Sequence, residues 1–149
     1  STDCINKLVD KFPEQIVGVK DSSYNLYESL KINNFSVMPG SETKLLKGLK
    51  LGCSGIITAT ANVTSALARN VYDSYTNKSP QNLNKKLCDV RAVFEKYNLI
   101  SSLHSFLMDK DEIYKNILPP LKLLSVADKK KMLSNLKELD FNITSLKAA

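Results

Sequence analysis

Over the first sixty or so positions, short apolar runs closed by turn-forming residues alternate with stretches whose apolar residues recur at helical spacing. Ile16-Val17-Gly18-Val19-Lys20, Phe35-Ser36-Val37-Met38-Pro39 and Ile56-Ile57-Thr58-Ala59-Thr60 read as three short strands. Their starts lie 19 and 21 residues apart, leaving room for one helix in each gap. A short helix is predicted over 3–11, where Ile5, Leu8 and Val9 share a face before Phe12-Pro13 ends it. Further helices are predicted over 23–30 and 42–51, the latter with Ser41 as N-cap and Gly52 as its stop. Such a βαβαβα series builds a parallel sheet with right-handed crossovers.

From Thr64 onward the spacing predicts helices alone, over 64–76, 80–99, a broken stretch 101–116, and 126–140. Ser79-Pro80 marks one boundary, and Leu118-Pro119-Pro120-Leu121 is an extended break. Ser125-Val126-Ala127-Asp128 has the form of a capping box before the last helix. The chain thus divides into an α/β part, residues 1–77, and a helical part, residues 78–149.

At 149 residues, 43% hydrophobic and 24% charged, the composition is that of a globular chain with a core, which excludes disordered and coiled-coil classes. No apolar run reaches the roughly 18 residues of a membrane span, and the N-terminus lacks a signal pattern, so a cytoplasmic protein with no membrane partner is expected. Cys4, Cys53 and Cys88 are far apart and in no CxxC pair, so neither disulfides nor a metal site is expected, and they read as mostly buried thiols. The net charge of +6 lies mainly beyond residue 62. Lys85-Lys86 and Lys129-Lys130-Lys131 sit among acids without interleaved aromatics, which reads as solvated helix faces and argues against a nucleic-acid partner.

In a parallel sheet the strands end on one side. Lys20, the Gly40-Ser41-Glu42-Thr43 loop and Thr60-Ala61-Asn62 therefore converge on one rim, where α/β folds place their active sites. Alternation turns Ile16, Gly18 and Lys20 to one face and Val17 and Val19 to the other. A lysine in that position either ends the strand and snorkels to water or serves as a nucleophile.

With Ile16-x-Gly18-x-Lys20-Asp21-Ser22-Ser23, then Pro39-Gly40-Ser41-Glu42, then Leu51-Gly52-Cys53-Ser54-Gly55-Ile56-Ile57-Thr58-Ala59-Thr60-Ala61-Asn62-Val63, the chain resembles the dihydrodipicolinate synthase and N-acetylneuraminate lyase family of class I aldolases. The resemblance covers the C-terminal half of that family. It implies an α/β fold, the C-terminal half of a (β/α)8 TIM barrel with about three parallel strands (six to eight of the family), followed by a C-terminal helical extension. No counterpart of strands one to five is present, and the chain starts with Ser1 rather than Met, so it reads as a piece of a longer reading frame.

The resemblance makes Lys20 the Schiff-base residue, with pyruvate as partner and no cofactor beyond the covalent imine. A lysine attacks a ketone only as the free amine, which an apolar, desolvated setting favours. By the same resemblance Gly40 lies where the backbone meets substrate, while Glu42, Thr43 and Ser22 meet substrate hydroxyls and Ile57 lines the imine through its carbonyl. Each has a plainer reading: Gly40 as a turn glycine, Glu42 as a first-turn acid favoured by the helix dipole.

The implied reaction is 4-hydroxy-tetrahydrodipicolinate synthesis, a step of lysine biosynthesis, because Ala59-Thr60-Ala61-Asn62 is closest to the synthases. Asp21-Ser22-Ser23 is nearer to the sugar-acid aldolases, so the alternatives are a 2-keto-3-deoxy sugar-acid aldolase or an N-acetylneuraminate lyase. A non-catalytic assembly partner of a separate N-terminal half is the reading from another class. The partners implied are pyruvate, an aldehyde and further copies of the chain in a homo-oligomer, commonly a tetramer. Ser41-Glu42-Thr43-Lys44 fits the Ser-x-x-Lys of penicillin-recognising enzymes, but the companion motifs are missing. His104, the one histidine, has no acid at ligand spacing.

Overall fold

In the computed structural model, which describes residues 1–22 and 25–143, two short strands, β1 (Gly18–Asp21) and β2 (Ser36–Pro39), pair in parallel. The register sets Gly18 opposite Ser36, Val19 opposite Val37, Lys20 opposite Met38 and Asp21 opposite Pro39. Helix α1 (Thr2–Lys11) precedes β1, and α2 (Leu26–Ser29) makes the crossover to β2. A 3-10 turn (Glu42–Lys44) leads into α3 (Leu45–Lys50). The predicted first turn of α2 includes Ser23 and Tyr24, which lie outside the described residues.

The third predicted strand is absent: among the described residues the sheet has two strands. The reason is covalent. Ser36 and Gly40 donate toward β1, to Val17 O (2.9 Å) and Asp21 O (2.7 Å), so residues 37 and 39 face the third segment. Pro39 has no N–H to give there. A single backbone bond, Ile57 N–H to Pro39 O at 3.1 Å, holds the 56–58 run against β2.

The chain divides into two compact units, residues 1–58 with 71–81, and residues 59–70 with the chain from 82 on; helix α4 (Ala61–Thr76) contributes to both. In the first unit the sheet face bearing Val19 and Val37 packs against Tyr27, Leu30 and Cys53, with Ile5, Leu26, Ile32 and Phe35 around them. Burying such side chains is worth about 1.5–3 kcal/mol each. Gly52, at φ +91°, ends α3 as its position predicts, and the Cys53 N–H returns to Gly48 O at 2.9 Å. The Tyr75 hydroxyl donates to Leu49 O (3.2 Å), tying the end of α4 to α3.

The second unit is built on α5 (Asn84–Glu95), α6 (Leu99–Leu107) and α7 (Val126–Glu138). Its core joins Val90 and Phe94 to Phe106, Met132 and Leu136, with Phe94 and Phe106 meeting edge to face at 5.5 Å. The predicted helix 80–99 stops short because Asn98 caps the next one, its Oδ1 accepting from Ser101 N–H (3.1 Å). Asp111 likewise caps a 3-10 turn (Glu112–Lys115), which accounts for the broken stretch. The Ser125–Asp128 capping box forms as predicted, with Asp128 N–H donating to Ser125 Oγ at 3.1 Å.

The three thiols differ from the expectation of general burial: Cys4 is exposed, Cys88 intermediate and Cys53 buried. Burial pushes the Cys53 thiol above its ordinary range, against a smaller opposing influence of Lys31. At pH 8 a water-soluble disulfide reagent should therefore label Cys4 at least about tenfold faster than Cys53. Mass-mapped time courses check this, and equal rates would contradict the packing described.

Candidate active site

The register decides which way Lys20 points. Val19 and Asp21 share a face with Val37 and Pro39, and that face is the buried one. Gly18 and Lys20 share the opposite face with Ser36 and Met38. There Lys20 is exposed and, with Gln15, Gly18, Ser36, Met38 and Ile57, lines a groove of about 480 Å³. The pairing is close because residue 18 is glycine: a Cβ at Gly18 would stand 2.8 Å from Ser36 O and 3.2 Å from Ser36 Cβ.

Past Lys20 the two strand ends are stitched together. Asp21 is 3% exposed, and its Oδ2 accepts from Leu26 N–H at 2.7 Å, anchoring the start of α2. Asn25, just before α2, takes a left-handed conformation (φ 52°) and leaves that helix N-terminus to Asp21. The Asp21 carbonyl accepts from Gly40 N–H. A Cβ at Gly40 would lie 2.9 Å from Ser22 Oγ and 3.1 Å from Ser22 Cα, so a glycine is what lets the two loops meet.

The predicted site residues therefore fall into separate groups. Lys20 and Ile57 share the groove. Ser22 and Gly40 lie side by side above the strand ends. Glu42 is fully buried, and its Oε2 accepts from Thr58 Oγ1 at 3.0 Å. Thr43 is exposed, with its hydroxyl 2.9 Å from Ser41 Oγ. Neither Glu42 nor Thr43 belongs to the groove lining.

Sequence reasoning missed Ser36 and Met38, which alternation along the second run would have turned to the same face as Lys20. It also missed Asp21 as an anchor and Thr58 as the partner of Glu42, pairings separated by 5 and 16 residues that no local pattern signals. Among the described residues no group of three or more His, Cys, Asp or Glu side chains could hold a metal ion, and no helix is long and apolar enough to cross a membrane.

A parallel βα series with an exposed lysine near the end of a strand, over an open groove, has the form of an α/β barrel segment. The chain belongs to the dihydrodipicolinate synthetase family, whose pattern it matches over residues 1–139. A 2-dehydro-3-deoxy-D-gluconate/2-dehydro-3-deoxy-phosphogluconate aldolase of Picrophilus torridus is 28% identical, over 71% of this chain and 42% of that protein. The dihydrodipicolinate synthase structure from Aquifex aeolicus superposes with a TM-score of 0.82 at 22% identity, covering 97% of this chain and 52% of that one. That from Bacillus anthracis gives 0.79 at 19% identity, covering 92% and 49%. At these identities the structural likeness establishes the fold. The chain spans about half the length of the proteins it matches.

The Ser22–Gly40 approach makes a specific prediction. Gly40→Ala should destabilise the chain by about 1–3 kcal/mol, as overpacking does, and adding Ser22→Ala should restore only part, because Ser22 Cα remains 3.1 Å away. Urea unfolding followed by circular dichroism measures both, and a neutral Gly40→Ala would show that the loops do not meet.

Proposed function

We infer that this chain carries the nucleophile of a Schiff-base-forming class I aldolase or lyase that acts on pyruvate, with Lys20 as the imine-forming residue. The observation that carries this reading is the position of Lys20, exposed on the open face of β1 over a groove, in a chain of this family. The Lys20 amine adds to the ketone carbon of pyruvate, water leaves, and the protonated imine draws electrons from the adjoining methyl group. Loss of a methyl proton gives an enamine whose carbon attacks an aldehyde, and hydrolysis of the new imine frees the product and the lysine. Cleavage runs the same steps backward.

Ser36 and Met38 of β2 share the face of Lys20, and Ile57, held beside β2, lines the same groove. Ser22 and Gly40 lie where β1 and β2 end, and Thr43 offers an exposed hydroxyl on the following turn, which supports a place for them beside the second substrate. Lys20 is the one titratable side chain in the groove lining. Proton transfer to and from the substrate therefore calls for groups beyond that lining.

For the second substrate, the Thr60-Ala61-Asn62 string supports a dihydrodipicolinate-synthase-like condensation with aspartate semialdehyde. The Picrophilus torridus relative and the Asp21-Ser22-Ser23 string support cleavage of a 2-keto-3-deoxy sugar acid instead. A homo-oligomer of the complete protein and a cytoplasmic setting accompany either reading.

Incubating the chain with pyruvate and sodium borohydride, which reduces an imine to a stable amine, should add one pyruvate-sized mass to the Lys20 peptide and none in Lys20→Ala. A labelled lysine elsewhere, with Lys20 untouched, would reject the assignment. The chain alone should turn over neither aspartate semialdehyde with pyruvate nor a 2-keto-3-deoxy acid, since its groove holds no second acid/base group. Turnover by the purified 149-residue chain would contradict that. In a protein that joins this chain to such groups, whichever substrate is consumed decides between the two readings.

A further inference from the structure

We propose that Glu42 is a positioning residue: by holding the Thr58 hydroxyl it fixes the 56–58 segment against β2 and so keeps Ile57 in the groove beside Lys20.

The need for such a tether comes from the sheet itself. Among the described residues the 56–58 run is held to β2 by one backbone bond, Ile57 N–H to Pro39 O at 3.1 Å, and the missing N–H of Pro39 stops a second from forming at that residue. Ile57 is nonetheless 50% exposed while lining the groove, so packing alone does not fix it. The next residue supplies what the ladder lacks. Thr58 Oγ1 donates to Glu42 Oε2 at 3.0 Å.

Glu42 is suited to be the fixed end of this bond. It sits in the 3-10 turn that directly follows β2, and Ser41 caps that turn, accepting from Thr43 N–H at 3.4 Å. Its side chain is fully buried. The buried carboxyl group accepts the Thr58 hydroxyl at 3.0 Å, and a hydrogen bond to an acidic group favours the tethered position of the segment. The placement of Ile57 in the groove thus depends on a bond between its neighbour Thr58 and a residue 16 positions before Thr58.

The proposal gives the Lys20 reading a wall-setting partner and rests on it only for its chemical consequence, so the test has two arms on the full 149-residue chain. Native-state hydrogen exchange by NMR follows the Ile57 amide, with the Ser36 amide of the β1–β2 ladder as reference. In Thr58→Val, which keeps the shape and removes the hydroxyl, the Ile57 amide should exchange about tenfold faster or more, the effect of one hydrogen bond to an acidic group, while Ser36 is unchanged. Thr58→Ser, which keeps the hydroxyl, should behave as the parent chain. Ile57 protection that survives in Thr58→Val, Ile57 and Ser36 protection lost together, or loss in Thr58→Ser would each overturn the proposal.

The second arm is the rate at which pyruvate and borohydride modify Lys20. It should fall about tenfold in Thr58→Val and recover in Thr58→Ser. Lost Ile57 protection with an unchanged trapping rate would show that the tether is structural only and would overturn the positioning role. If the parent chain forms no adduct, the Schiff-base reading of this chain fails, and the exchange arm by itself decides the tether.

Discussion

The close approach of β1 to β2 at Gly18 is the constraint on which the first unit depends. A side chain at that position would press on the Ser36 carbonyl and Cβ, so the parallel pairing and its register need a glycine there. Once that register is set, alternation does the rest. Val19 and Val37 go to the face covered by Tyr27, Leu30 and Cys53, and Lys20 and Met38 go to the open one. The burial of the apolar face, worth on the order of 25 cal/mol per Å², holds Lys20 out over the groove. A one-residue slip would bury the lysine and expose the valines.

The same economy of contacts governs the rim. Asp21 faces inward two ways, its carboxylate to the start of α2 and its carbonyl to Gly40, so that one buried acid joins both strand ends to the crossover helix. Ser22 and Gly40 then meet because nothing but a glycine fits. On the other side of β2, proline removes a ladder donor and a buried glutamate restores a tether. Charged side chains near the strand ends thus serve geometry, and Lys20 is the one charged side chain among the residues lining the groove.

Much of the architecture was legible in the sequence. The periodicities that predicted two strands near 16–20 and 35–39 and helices near 3–11, 42–51 and 126–140 are local, and local signals such as Ser41, Gly52 and Ser125 mark where elements start and stop. That Lys20 ends a strand and shares a face with Gly18 was readable from alternation, but alternation points it inward to a desolvated setting, whereas in the structure that face is open and Lys20 is exposed. The third strand was not, because Ile56-Ile57-Thr58-Ala59-Thr60 has strand composition while the obstacle to its pairing is a proline 18 residues before Ile57. Glu42 reads as a rim carboxylate from its motif and as a buried tether only when Thr58 is seen beside it. Asn98 was hidden inside a continuous helical pattern and revealed itself as a cap only by its bond to Ser101.

The most direct test of this account is a side-chain nuclear Overhauser measurement on Lys20 in solution. The register described predicts contacts from the Lys20 methylenes to the Met38 methyl and to the Ile57 side chain that lines the same groove. Contacts from Lys20 to Tyr27 or Leu30, which pack the opposite face, would mean that the strand is turned over. The amine would then not be on the groove, and the Schiff-base reading would lose its structural basis.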